Sequence, residues 1–286
     1  MKSNKNIIIV LALSGVFSAC SAGETGTPAD HLLFSFTKPV HFRWSGPYVG
    51  GYIGGAWGHS NVTTTVGPVT DTSYFQSTAN INVVNHNGST SFDPSAFIAG
   101  LQLGDNWMYK NYVYGVVLDY GSFGLSDALG VVNSAYPDAS GDYTLNTSIS
   151  TDWLYTVRGR LGWTPALSWP LMIYATGGLA VTRLHVANSF VDSTTLLGVG
   201  GSNSSDTKNG WTIGGGIEFP VTQNLTINSE YLYADFGSIA VNSSIYNSVQ
   251  GFGIDYQSLV SPFISSANLS ANFFKVGLNY KFSSSV

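Results

Sequence analysis

His59, His86 and His185 are the side chains best suited to chemistry at a surface, because an imidazole can ligate haem iron or take a proton near neutral pH. His59 follows Trp57, His86 lies downstream of Tyr74 and Phe75, and His185 sits at the top of the fifth alternating segment. Aromatic neighbours supply the flat apolar bed that a porphyrin needs. These three histidines are therefore the candidate haem ligands. Nothing in the sequence pairs them with a nucleophile. No G-x-S-x-G elbow, Walker A loop, H-E-x-x-H or dinucleotide fingerprint occurs, so no enzyme and no metal site is expected, and haem is the one cofactor in view. A second set, Asp119, Arg158, Arg160, Glu218, Glu230, Lys275 and Lys281, offers different chemistry. Each sits at a polar position of an alternating segment, and together they could neutralise one another inside a fold.

The elements that must position these residues are strands. Phe274, Val276, Leu278, Tyr280 and Phe282 share one face of a closing segment, and Lys275, Gly277, Asn279 and Lys281 share the other. Seven earlier segments alternate in the same way: Tyr48 to Trp57, Phe97 to Trp107, Tyr112 to Tyr120, Trp153 to Trp163, Leu171 to Leu184, Trp211 to Phe219, and Leu225 to Tyr233. The fifth is apolar on both faces near its middle, which leaves its phase open. Segments of about ten residues suit tilted strands that cross a membrane.

Composition supports lipid as the surroundings. Charged residues make up 9% of the 286, aromatics 14%, and 33 are glycine. A soluble surface needs more charge than that. The net charge of −5 and scattered bases exclude nucleic acid as a partner. Short turns at Lys110-Asn111, Pro165 to Pro170 and Thr222 to Asn224 alternate with long connections at Ser60 to Asp93, Gly124 to Asp152, Asn188 to Lys208 and Gly237 to Asn268. The long connections are expected to be Ser/Asn-rich surface loops. The fold class that follows is all-β, an eight-stranded antiparallel up-and-down transmembrane β-barrel. Trp107, Tyr109, Tyr112, Trp163, Trp169, Tyr280 and Phe282 would form the inner aromatic belt. Trp57, Tyr120, Trp153, Trp211 and Tyr233 would form the outer one.

The barrel accounts for residues 44–286. Residues 1–22 have the form of a signal peptide, with Lys2 and Lys5 ahead of the apolar run Ile7 to Phe17 and small residues behind it. Cys20 follows Ser18-Ala19 and is a candidate lipidation site; ordinary cleavage nearby is the alternative. Residues 23–43 are expected to be a periplasmic linker.

Several stretches resemble the small porin-like outer-membrane β-barrel proteins of alphaproteobacteria. They are Trp44-Ser45-Gly46-Pro47-Tyr48-Val49-Gly50-Gly51, residues 153–162, Tyr174-Ala175-Thr176-Gly177-Gly178-Leu179-Ala180, Glu230-Tyr231-Leu232-Tyr233-Ala234-Asp235 and residues 275–282. The resemblance implies an OmpA-like barrel in the outer membrane of a Gram-negative bacterium, with lipids and lipopolysaccharide around it. It also implies assembly by the barrel-assembly machinery, and a surface-antigen or haemin-binding role in which the loops meet haemin or a host ligand. Such proteins usually end on the aromatic residue, whereas Ser283-Ser284-Ser285-Val286 follow Phe282 here. An eight-stranded barrel has room only for its own side chains or one small ligand. The seven inward charges are therefore expected to form a packed polar plug, with a narrow path for small solutes as the alternative.

Overall fold

In a computed structural model describing residues 42–167, 169–194, 197–247 and 259–282, alternation becomes long antiparallel strands and one short helix. All of these residues belong to the compact unit Thr37–Val286. The signal peptide with Cys20, nearly all of the linker, and the tail after Phe282 lie outside the described residues. In chain order the elements are β1 (Gly46–Val66), α1 (Thr78–Asn87), β2 (Thr90–Phe92), β3 (Ser95–Tyr109), β4 (Tyr112–Ser122) and β5 (Ser126–Ala135). Then come β6 (Asp142–Trp163), β7 (Met172–Asp192), β8 (Gly198–Pro220), β9 (Leu225–Asn247) and β10 (Val260–Lys281).

Eight of these close into a barrel in the order β1, β3, β4, β6, β7, β8, β9, β10, with β10 returning to β1 from Tyr48↔Lys281 to Val66↔Phe263. β2 and β5 stand off this ring, paired to the upper parts of β1 and β6. Ile53, Leu101, Tyr114, Leu161, Ile213 and Phe274 are exposed on the outer wall. The inner-belt aromatics from Trp107 to Phe282 are exposed too, as are Trp57, Tyr120 and Trp211 of the outer belt; Trp153 and Tyr233 are half-buried. The fifth segment acquires its phase: Met172, Tyr174, Thr176 and Ala180 point in, Ile173 and Leu179 out.

The strands run much further than a membrane requires. β6 has 22 residues and β8 has 23, about 70 Å of strand at 3.3 Å per residue, whereas about ten residues cross the bilayer. The expected long loops are therefore mostly strand. Ser60 to Asp93 holds the top of β1, α1 and β2; Gly124 to Asp152 holds β5 and the upper β6; the last two hold the upper parts of β7 to β10. Above the outer belt the interior is mainly apolar, with Ser60, Thr147, Thr182, Asn188, Asp192 and Ser265 buried among the apolar side chains. Phe123, Leu125, Leu154, Phe236 and Phe273 begin this core. Tyr143, Phe190, Ile245 and Phe263 continue it beneath α1, which contributes Ile81 and Val84. The Ser77 side chain caps α1 by accepting from the backbone N–H groups of Ala79 and Asn80 at 3.1 and 3.4 Å. At the opposite end Trp44 packs on Val113, Met172 and Tyr174, with Phe42 against the cluster.

Large rings fit inside because glycines face them. A Cβ on Gly104 would lie 2.4 Å from the Tyr48 ring, and one on Gly100 would lie 2.5 Å from that of Tyr52. Any side chain at either position would push its tyrosine out of the lumen.

Candidate functional site

The inward positions of β4, β6, β9 and β10 bring four charges into a closed ring. Arg158 contacts Asp119 through Nη2 and Glu230 through Nη1, the latter at 3.0 Å. Lys275 Nζ contacts the same two carboxylates, Asp119 at 2.8 Å and Glu230 at 3.0 Å. The register sets this up, since Lys275 pairs directly with Glu230 and Asp119 pairs with Thr156 next to Arg158. Further hydrogen bonds hold the ring. Thr156 Oγ1 donates to Asp119 at 3.1 Å, and the Tyr174 hydroxyl donates to Glu230 at 3.2 Å. Two positive and two negative charges, all almost fully buried, make the ring neutral. An unpaired ion in such surroundings would be strongly destabilising, and each pair needs these extra hydrogen bonds to offset its desolvation.

One row towards the end at Trp44, Arg160 Nη2 donates to Glu218, whose other oxygen accepts from Thr226 at 2.6 Å. The Arg160 guanidinium lies 3.6 Å from the centre of the Tyr174 ring. Lys281 is also buried but forms no ion pair with these acids. Its ammonium donates to the Trp44 carbonyl and stands 5.5 Å from the Tyr48 ring centre. Six of the seven charged residues thus meet an opposite charge, and the seventh ties down the segment that enters β1.

Directly above the ring the interior turns apolar. Phe273 is two residues from Lys275 on the same face, and Phe123 lies 5.1 Å from Phe273 and 5.8 Å from Phe236, ring centre to ring centre. These rings pack into an apolar layer between the charged lumen and the upper strands.

The three histidines have separate surroundings. His59 Nδ1 is 2.6 Å from Asp93 Oδ1 on the outer wall. His86 is exposed on α1. His185 Nε2 is 2.7 Å from Asp152 Oδ2, and its Nδ1 hydrogen-bonds Ser205. Sequence inspection misses this Ser205–His185–Asp152 chain. The residues lie on β8, β7 and next to a bulge in β6, and only the register His185↔Ser205 brings them together. The arrangement orients an imidazole, which general-base chemistry requires. It lies on the outer wall with Asp152 half exposed, where solvent screens it.

A family model for the outer membrane protein beta-barrel domain matches residues 32–282. The chain is 32% identical over 282 residues to the 31 kDa outer-membrane immunogenic protein of Brucella melitensis, covering 96% of this chain and 99% of that protein. It is 33% identical over 135 residues to a 22 kDa outer membrane protein of Rhizobium leguminosarum, covering 47% of this chain and 50% of that one. Among solved structures it is similar to the outer membrane protein OprG of Pseudomonas aeruginosa. The TM-score is 0.43 and the identity 14%, over 84% of this chain and 97% of that one.

Proposed function

The chain belongs to the outer-membrane β-barrel domain family, and on that footing we propose that it is a structural and surface-interaction protein, neither an enzyme nor an open pore. It is an outer-membrane protein of a Gram-negative cell whose relatives are immunogenic there. The observation that carries the rest of the reading is the packing of Phe123, Phe236 and Phe273 above a neutral ring of buried ions. An ion moving through the lumen would have to break paired charges and then enter an apolar core. Trp44 at one end and α1 at the other lengthen that barrier. The extracellular head, hydrophilic outside, then becomes the part of the molecule on which partners act.

Planar-bilayer recordings of the refolded full chain test this. A quiet membrane is the expected result. Discrete conductance steps that change size in a Phe273→Ala variant would overturn the closed lumen.

A further inference from the structure

Barrels close to remove strand edges, because an unpaired edge is a template for another chain. One seam here stays unpaired over part of its length. Gly200 pairs with Ile245 and Trp211 with Asp235, but residues 201–210 of β8 and 236–244 of β9 have no ladder pairing between them. Both stretches are strand nonetheless. β8 stays paired to β7 from Asn188↔Ser202 to Ala180↔Gly210, and β9 stays paired to β10 from Pro262↔Ser244 to Asn268↔Ser238. Each therefore presents one free edge. The seam opens at Trp211 in the outer aromatic belt and climbs away from the membrane for ten residues, about 33 Å of strand.

What surrounds the seam limits what can fill it. At its upper end Val191, Val199, Tyr246 and Val260 stand in register across four strands. Val191, Tyr246 and Val260 are exposed, an apolar row in a head whose outer wall is otherwise mostly Ser, Thr and Asn. Asp206 lies on the β8 edge and Asp235 at its foot, with Asp152 on the same wall. Among the described residues the head's lysines and arginines are Arg183 and Lys208, both on the β7–β8 wall beside this seam. Lys208 Nζ reaches Asp206 at 2.9 Å along the same edge, a charge that blunts the edge without covering it.

We propose that this seam receives an extended, basic strand of a partner protein by edge addition. The free backbone groups specify an extended chain, the head's excess of exposed or half-exposed acids (Asp71, Asp93, Asp127, Asp138, Asp142 and Asp152) over Arg183 and Lys208 favours lysine or arginine, and the apolar row anchors an apolar side chain at one end. A second copy of this chain is the poorer occupant, since it would bring the same acidic wall. The proposal rests on the surface-interaction reading above.

Its test uses the full chain in lipid nanodiscs and a ten-residue peptide of alternating lysine and valine, with binding followed by interferometry. Three comparisons decide the outcome. They are the same peptide N-methylated at alternate backbone amides, a glutamate–valine peptide, and an Asp206→Lys variant that keeps its heat-modifiable band shift as proof of folding. Each is expected to bind at least about tenfold more weakly than the parent pair. Equal binding of the N-methylated peptide would reduce the effect to charge attraction and overturn edge addition. No binding of the parent peptide would overturn it as well. Protease shaving of intact cells checks the surface reading separately, so a cleavable head that ignores the peptide ends this proposal alone.

Discussion

Lys275 and Phe273 lie two residues apart on the same inward face of β10, yet they belong to opposite kinds of interior. Around Lys275 the wall faces lipid, so the apolar side chains are outside and the polar ones must satisfy one another within. Around Phe273 and above, the wall faces water, and the same strands bury Phe190, Ile245 and Phe263 while showing Ser, Thr and Asn outward. The surroundings change at the outer belt, and the contents invert with them. The interior of the lower half therefore depends on electrostatic balance and that of the upper half mainly on apolar packing, and the two should fail differently.

The sharpest way to break that difference is Asp119→Ala. It leaves Arg158 and Lys275 sharing Glu230, one buried positive charge in excess. Removing one member of a buried pair is expected to lower stability by about 3–5 kcal/mol, read from urea unfolding in lipid vesicles. Adding Lys275→Met restores neutrality and should recover most of the loss. A single-variant loss below about 1 kcal/mol, or no recovery in the double variant, would contradict the balance.

Phe190→Ala tests the other half. Phe190 is fully buried and packs against Phe75, Tyr143 and Phe263. Its truncation should cost about 3 kcal/mol, confined to the head. Faster proteolysis above the belt with an unchanged heat-modifiable band is the expected result. If the band disappears too, the halves are one cooperative unit.

The membrane half was legible in the sequence because its two faces differ so much in polarity. Every strand from Tyr48 to Phe282 showed there, and the barrel order followed from the turns. The head was hidden for a specific reason. β6 changes its inward parity at a bulge between Thr151 and Leu154, and β9 does so around Gly237, whose φ is +69°. A window of alternation that crosses such a reset shows no period, so the upper parts of β6 and β9 look like polar loops. β1 continued unseen because Val62, Thr64 and Val66 alternate with Asn61, Thr63 and Thr65, a contrast too weak to stand out. Of the interior charges, alternation shows which side of the wall each occupies. It cannot show that Arg158 and Lys275 would share two carboxylates, because that depends on register.

The smallest expected effect lies where the head is latched. Tyr74 and Tyr136 both donate to Asp192 Oδ2, at 2.6 and 3.1 Å, and Asp192 Oδ1 accepts from the Gly198 N–H at 2.8 Å. Burial raises the pKa of both phenols above the ordinary value near 10, and the neighbouring carboxylate raises them further. In the unfolded chain these tyrosines lose their protons near pH 10, while in the folded head they keep them to higher pH. The latch therefore contributes fully below about pH 10, and its contribution falls as pH rises towards the raised values. Cleavage of the nanodisc-embedded head by an alkali-tolerant protease should be flat from about pH 8 to 10 and accelerate above that. Tyr74→Phe removes one donor and should weaken the head by about 1 kcal/mol at neutral pH while flattening the alkaline rise. A rise of the same steepness in that variant would show that other groups, not this latch, set the alkaline limit of the head.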